Sequence, residues 1–180
     1  MKTFITVCSA LLFFITTKGQ TTELTPELQQ KLQQAIELQV PAFKKKLENK
    51  KLNPEIIAFS IDTFRIERLL SRSIELNFSD FSMRDADYRA AAGYDSLLNK
   101  YYKKLFNLLK GDDKKILQQA QKSWIAFRDS ETKLVETISK DEYSGGGTMQ
   151  QLTESSMYLD IVKSRVFTIF SHYTRAAQID

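Results

Sequence analysis

One helical stripe in the middle of the chain limits what the chain can fold into. Seven residues recur there at alternating steps of three and four, which is the spacing of one α-helix face. They are Leu117, Ala120, Trp124, Phe127, Glu131, Leu134 and Ile138. Only Glu131 is charged, so the segment is predicted to be a core helix. Glu131 then needs a polar partner, because burying a lone carboxylate costs several kcal/mol.

Start signals divide the rest of the chain into segments of the same kind. Thr25 and Asn53 each precede a proline, and a capping residue followed by proline is typical of a helix start. The first of these helices is expected to bend or break near Pro41. Ser82 and Thr148 are predicted to cap two later helices as parts of capping boxes.

No segment shows the two-residue period of a strand, and the connections are short. We therefore predict an all-α fold, an antiparallel bundle of long helices with short connections. Two further core stripes are expected. The first comprises Tyr88, Ala91, Asp95, Leu98, Tyr102, Leu105 and Leu109. The second comprises Met149, Leu152, Ser156, Leu159, Val162, Val166, Ile169 and Tyr173.

The N-terminus has the pattern of a secretory signal peptide. Lys2 precedes an apolar run from Phe4 to Thr17, and cleavage is expected after Gly19. Cys8, the only cysteine, lies inside the apolar run, which disfavours a lipoprotein site. We expect three parts: a signal peptide (1–19), an N-terminal helical extension (20–80) and a helical domain (81–180). The mature protein would be exported, periplasmic or secreted, with no membrane span and no disulfide.

The charge balance argues against a nucleic-acid-binding protein. The formal net charge is +4, and it falls to +2 when Lys2 and Lys18 are removed. A nucleic-acid-binding domain normally has a strongly basic face. The run Lys44-Lys45-Lys46 with Lys50-Lys51 is local. It is interpreted as a solvated helix face, with a patch for an anionic surface as the alternative.

Polar residues that interrupt the stripes are expected to form a buried network. We predict that Arg128 or Arg165 binds Glu131, because a guanidinium can satisfy a carboxylate with two hydrogen bonds. Asp95 and Asn99 would complete the cluster. It would serve either to fix the register of the helices or to form the floor of a binding groove.

No catalytic residue, cofactor or metal ligand is predicted. His172 is the only histidine, so no histidine-based metal cluster or Ser-His pair can form. The spacing of Asp80, Asp85 and Asp87 does not fit a calcium loop. The run Gly145-Gly146-Gly147 lacks the lysine and the preceding strand of a phosphate loop.

The order of motifs resembles a known family. The first motif is Asp95-x-x-Leu98-Asn99-x-x-Tyr102-x-x-Leu105, and the closing one is Lys163-x-Arg165 after the glycine-rich loop and Thr148-Met149. The most specific motif lies between them and comprises Leu117, Ala120, Gln121, Trp124, Phe127, Arg128, Asp129 and Glu131. Over about residues 85 to 175 the chain is similar to the lysozyme inhibitor LprI-like N-terminal domain family of small exported bacterial helical domains. That family usually has a cysteine where this chain has Thr132, and its partner cysteines are missing here too.

The resemblance implies a non-enzymatic protein that binds a protein partner, with lysozyme inhibition as the most concrete version. An inhibitor must block a cleft that contains two catalytic carboxylates. The loop best suited to this comprises Lys140, Asp141, Glu142, Tyr143, Ser144, Gly145, Gly146 and Gly147. The simpler interpretation of this loop is a flexible connection between helices.

Two other functions are open at this stage. The chain could be a cell-envelope scaffolding module whose contact surface includes Phe43, Phe59 and Phe64 of the extension. It could also be a cell-wall hydrolase, although no acid/base pair stands out. An inhibitor is expected to be monomeric and to need only residues 85 to 175, whereas a scaffold would self-associate or require the extension.

Overall fold

The computed structural model describes residues 24–179 and confirms the all-α bundle. No strand occurs within that range. The expectations for the signal peptide, including cleavage after Gly19 and the position of Cys8, lie outside the described residues. The helices are α1 (Pro26–Glu37), α2 (Val40–Glu48), α3 (Pro54–Leu76), α4 (Asp80–Leu108), α5 (Asp113–Ile138), α6 (Asp141–Ser144) and α7 (Thr148–Ala177).

Two of the predicted helix starts are confirmed in their capping geometry. The Thr25 hydroxyl accepts a hydrogen bond from the Leu28 amide at 3.3 Å. The Asn53 side chain accepts one from the Glu55 amide at 2.9 Å. The break near Pro41 is also present, because α1 ends at Glu37 and α2 begins at Val40.

The other two predicted caps are wrong. Ser79, not Ser82, caps α4, and its hydroxyl accepts a hydrogen bond from the Ser82 amide at 3.3 Å. Two serines three residues apart can each serve as a cap, so the sequence leaves this choice open. Gly147 occupies the cap position of α7, and the Thr148 hydroxyl donates instead to Asp80 at the start of α4.

The central helix pair, α4 and α7, is parallel. Ser155 meets Asp87, Lys163 meets Tyr94 and Phe170 meets Tyr101, so positions rise together along the two helices. This arrangement is possible because α5 returns the chain between them. Its 26 residues span about 39 Å.

Helix α3 packs antiparallel on α4 and belongs to the same core. Lys104 Nζ lies 2.6 Å from a carboxylate oxygen of Glu55, near the start of α3. Phe59 is 5% exposed and stacks on Phe170, with the ring centroids 3.8 Å apart. The predicted contact surface of the scaffolding alternative therefore loses Phe59 to the interior. Its other two members, Phe43 and Phe64, stack on each other at 4.4 Å.

Helices α1 and α2 cover the outer side of α3. Arg65 of α3 donates two hydrogen bonds to Glu37 of α1, at 2.6 and 2.8 Å. Leu47 of α2 packs with Ile57 and Ile61 of α3 in a second, smaller cluster. No helix among residues 24–179 is long and apolar enough to cross a membrane.

The predicted stripe of α7 is largely confirmed. Leu159, Val162, Val166, Ile169 and Tyr173 are all buried. The agreement fails near the start of the helix, where Met149 is exposed and Ser155 is buried in place of Ser156.

The predicted stripe of α4 is shifted. The buried residues of this helix are Ala86, Asp87, Ala90, Ala91, Tyr94, Leu97, Leu98, Tyr101 and Leu105. Tyr94 and Tyr101 bury far more apolar area than the predicted Asp95, which explains why this face turns inward.

Candidate functional site

Helix α5 turns a different face to the bundle from the one its stripe predicted. Phe127, Leu134 and Ile138 are 54%, 50% and 51% exposed, so the stripe does not form a core face. The apolar arc of α5 is wider than its single main neighbour, α7, can cover. The side chains turned inward, wholly or partly, are Leu117, Gln121, Trp124, Arg128, Glu131, Thr132, Val135 and Ser139.

Trp124 is held by two arginines on the α7 side of α5. The guanidinium carbons of Arg128 and Arg165 lie 5.4 and 5.6 Å from the tryptophan ring, within the range of a cation–π interaction. Arg165 also donates two hydrogen bonds to Gln121 Oε1, at 3.2 and 3.0 Å. Burial lowers the pKa of Arg165, and the nearby Tyr102 opposes that shift. The arginine nevertheless stays charged.

The predicted network around Glu131 does not form among the described residues. Arg165 binds Gln121, and Arg128 donates to its neighbour Asp129 at 2.8 and 2.7 Å. Asp95 and Asn99 are exposed on α4 and hydrogen-bond only to each other, at 3.2 Å. Glu131 is half-buried, so solvent can satisfy its carboxylate without a protein partner.

The position where the family usually has a cysteine is filled without strain. The Thr132 hydroxyl donates to the Arg128 carbonyl one turn earlier, at 2.8 Å. The side chain is thereby satisfied inside its own helix. Packing and hydrogen bonds hold α5 here, where the resemblance implies a disulfide in other members.

Two polar contacts that the sequence did not predict connect α4 to its neighbours. The Ser155 hydroxyl donates to Asp87 at 2.8 Å, and these side chains are 0% and 7% exposed. Burial raises the pKa of Asp87, and Asp160 adds to the shift, whereas the Ser155 hydrogen bond lowers it. The spacing could have predicted the burial of Asp87, since it lies four residues before Ala91 and seven before Tyr94, on the same face of the helix.

The second contact joins three helices. The Tyr94 hydroxyl donates to Glu67 of α3, and Lys163 Nζ of α7 lies 2.6 Å from the same carboxylate. Burial is the main cause that raises the pKa of Tyr94, followed by its hydrogen bond to Glu67. The Ser155–Asp87 contact lies in the bundle core, whereas the second contact lies at its edge, where the Lys163 and Glu67 side chains are 37% and 42% exposed.

The predicted partner-binding loop is a compact turn of defined conformation. Lys140 is extended, Asp141–Ser144 form the single turn α6, and the three glycines that follow have φ values of 80°, 60° and 85°. Such left-handed values favour glycine. A Cβ on Gly146 would lie 1.7 Å from Asp141 Oδ1, so a larger residue would have to push the Asp141 side chain aside in addition to adopting the left-handed φ.

The loop presents its side chains to solvent at the end of the bundle where α4 begins. Lys140, Asp141 and Glu142 are exposed, and Tyr143 is 64% exposed. Apolar side chains flank the loop on both sides, with Ile138 51% exposed before it and Met149 64% exposed after it. We call the surface formed by residues 138–149 the loop surface.

The loop surface also offers unused backbone donors. The Gly145 amide is bonded to the Asp141 carbonyl at 3.1 Å. The amides of Gly146 and Gly147 donate no hydrogen bond within the described part of the chain. Successive free amides in turns with left-handed residues form concave sites for anions. A carboxylate from a partner would bind here by displacing the Asp141 carboxylate, which lies against Gly146.

The described residues contain no group of histidine, cysteine and carboxylate side chains that could hold a metal ion. His172 is exposed near the end of α7.

The family comparison accounts for the part of the chain that carries these features. The family model for lysozyme inhibitor LprI matches residues 79–168, from the cap of α4 into the second half of α7. The match includes the Trp124 stack and the whole loop surface. No curated protein and no solved structure matches the chain. The matched region is half of the sequence, and the chain belongs to the lysozyme inhibitor LprI family.

Proposed function

We propose that this protein is an exported, non-enzymatic inhibitor that binds a lysozyme through the loop surface. The observation that carries the proposal is the Lys140–Gly147 turn. It is exposed, closed on itself and built on three left-handed glycines within the region that the family model matches. A preformed loop loses little conformational entropy on binding, which favours affinity.

The chemistry of the loop suits the target cleft. Retaining glycosidases such as lysozymes act with two carboxyl groups in a cleft. The Lys140 ammonium and the free amides of Gly146 and Gly147 are donors for such carboxylates. Tyr143 supplies an aromatic anchor, a residue type enriched at the energetic centres of interfaces.

The carboxylates of Asp141 and Glu142 add a complementary rim. Both side chains are exposed beside the donors. They would contact basic groups around the cleft of a cationic lysozyme and increase the rate of association. Donors at the centre and acids at the edge together favour a basic enzyme with an acidic catalytic centre.

The proposal is tested by lysis of bacterial cell walls with c-type, g-type and i-type lysozymes in the presence of the purified chain from Gln20. We expect dose-dependent protection against one type, with a stoichiometric complex seen by gel filtration. Absence of protection by any type at large molar excess would contradict the proposal. The same preparation after heat denaturation is the control for non-specific protein effects.

A further inference from the structure

One end of the bundle brings together parts of the chain that are far apart in sequence. Lys104 Nζ lies 2.6 Å from Glu55 at the start of α3 and 5.5 Å from the ring of Tyr173 near the end of α7. Lys114 Nζ, at the start of α5, lies 4.7 Å from the ring of Phe106 near the end of α4. The starts of α3 and α5 therefore meet the ends of α4 and α7.

The end of α2 reaches the same place. Its Leu47 packs with Ile57, in the first turn of α3, and the α2–α3 turn carries Lys50 and Lys51. We call this end of the bundle the basic end. Its basic side chains are Lys44, Lys45, Lys46, Lys50, Lys51, Lys103, Lys104, Lys110, Lys114, Lys115 and Arg175.

The basic end is strongly positive although the chain as a whole is not. Among the described residues of this end, eleven basic side chains stand against four acidic ones, Glu48, Glu55, Asp112 and Asp113. That surplus of seven exceeds the formal charge of the entire sequence, +4, so the remainder carries a net negative charge. A separation of this size produces a directed field at the molecular surface.

Few of these charges are neutralised locally. Lys44, Lys104 and Lys115 lie 3.6, 2.6 and 2.8 Å from carboxylates. The other eight basic side chains have no ion pair within residues 24–179. Most of them are exposed, including Lys50, Lys51 and the Lys110 side chain.

Helix stability does not account for two of these lysines. Lys114 lies in the first turn of α5, where the helix dipole disfavours cations. Lys51 has φ 54°, a left-handed value at which glycine or asparagine is more stable. These positions hold lysine against local preference, which points to a role for the charge itself.

Exposed aliphatic side chains at the basic end favour an anionic bilayer over a soluble polyanion as its partner. Leu108 is 42% exposed and Ile116 is 68% exposed, on either side of Lys110 and Lys114. A soluble polyanion offers no apolar medium for such side chains, whereas the interface of a bilayer does. Lysines beside inserted aliphatic residues are the pattern of proteins that bind anionic lipid surfaces.

We propose that the basic end docks on the surface of an anionic phospholipid bilayer. The α4–α5 turn inserts Leu108 and Ile116 at the headgroup level, and the surrounding lysines bind lipid phosphates. Helix α5 separates this end from α6 by about 39 Å. The loop surface then faces away from the membrane. The proposal does not depend on lysozyme binding.

The test is co-sedimentation of the chain from Gln20, which retains every described helix, with phosphatidylcholine vesicles that contain or lack phosphatidylglycerol. The test variant is Lys50→Gln/Lys51→Gln/Lys110→Gln. The control, Lys31→Gln/Lys122→Gln/Lys133→Gln, makes the same change in net charge at exposed positions away from the basic end.

We expect binding only with phosphatidylglycerol, and it should weaken at high salt. Each lysine at an anionic surface contributes roughly fivefold, so the test variant should lose about a hundredfold in affinity. The control should change little. Equal losses in the two variants, or equal binding to both vesicle types, would overturn the proposal. Binding to dextran sulfate without binding to vesicles would overturn it in favour of a soluble polyanion.

The variant Lys51→Gly should change the stability of the protein and its affinity for vesicles in opposite directions. Relief of the left-handed lysine should raise the urea midpoint of unfolding, and loss of the charge should lower the affinity for phosphatidylglycerol vesicles about fivefold. A stabilised variant with unchanged vesicle affinity would contradict the role assigned to this lysine.

Discussion

The side-chain oxygen of Gln121 accepts two hydrogen bonds from Arg165, and the same guanidinium lies 5.6 Å from the Trp124 ring. These three side chains join α5 to α7 at the centre of the family motif. Because α5 has only one main neighbour, this contact carries much of its attachment to the bundle. The stack therefore has a structural role that can be measured apart from any binding activity.

Removing the Gln121 side chain should loosen α5. Gln121→Ala leaves Arg165 half-buried without its acceptor, and hydrogen bonds to charged groups contribute about 1.5–3 kcal/mol. We expect the free energy of unfolding in urea to fall by about 1.5 kcal/mol. Gln119→Ala, an exposed glutamine on the same helix, is the control and should change stability by less than about 0.5 kcal/mol. Equal effects of the two substitutions would show that the contact does not hold α5.

Two buried tyrosines of α4 should respond oppositely to loss of the hydroxyl. Tyr94 and Tyr101 are both 0% exposed and lie one heptad apart. The Tyr94 hydroxyl binds Glu67, whereas the Tyr101 hydroxyl has no hydrogen-bond partner among the described residues. Tyr94→Phe should lower the free energy of unfolding by about 1 kcal/mol, and Tyr101→Phe should leave it unchanged or raise it. Destabilisation by Tyr101→Phe as large as that by Tyr94→Phe would reveal an unrecognised partner.

The buried carboxyl of Asp87 should give a distinct pH dependence. Its pKa is raised by burial above the ordinary value of 3.8, so the folded state keeps the proton to higher pH than the unfolded state. The contribution of this group to stability therefore falls as pH rises from 3.8 through the folded pKa. Asp87→Asn does not titrate and still accepts a hydrogen bond from Ser155.

Urea unfolding as a function of pH checks this expectation. The stability of Asp87→Asn relative to the parent should increase as pH rises through that window and then stay level. Asp95→Asn, an exposed carboxylate on the same helix, is the control and should follow the parent. If the profiles of the parent and Asp87→Asn were parallel, the carboxyl would not be desolvated in the folded state.

The contact between Asp141 and Gly146 should make the effects of substitutions at these two positions on stability non-additive. Gly146→Ala places a methyl group against Asp141 Oδ1 and adds left-handed strain, whereas Gly145→Ala adds only the strain. Left-handed strain costs about 1–2 kcal/mol, so both should destabilise and Gly146→Ala more. Asp141→Ala should recover the excess for Gly146→Ala and nothing for Gly145→Ala. Additive effects of Asp141→Ala and Gly146→Ala in thermal unfolding would contradict the close contact.

The sequence predicts well what depends on local chemistry. The caps at Thr25 and Asn53, the break near Pro41 and the buried face of α7 from Leu159 to Tyr173 follow from residues close together in the chain. All of them are found in the structure. The all-α class follows in the same way, because helical periods run through every long segment.

The sequence does not determine which part of a wide apolar arc is covered. The stripe of α5 predicts Phe127 and Leu134 as core residues, but they are exposed because no second helix among residues 24–179 packs on that side. On α4 the face next to the predicted one is buried, because Tyr94 and Tyr101 bury more apolar area there than Asp95 would. The partners of Arg165 depend on how α7 packs against α5, which local patterns do not encode.

The central claim is that the loop surface, and not another part of the bundle, inhibits a lysozyme. The most direct measurement is the inhibition constant for the lysozyme type that the chain protects against, in two matched variants. Lys140→Ala/Tyr143→Ala removes one cation and one exposed anchor from the loop. Lys110→Ala/Ile116→Ala makes the same kind of change at the opposite end, where Ile116 is 68% exposed.

The account predicts that the loop variant loses at least a hundredfold in inhibition, since residues at the energetic centre of an interface each contribute about 2 kcal/mol or more. The variant at the opposite end should inhibit like the parent, and both should keep the parent's circular dichroism. Full inhibition by the loop variant, or an equal loss in the two variants, would contradict the claim.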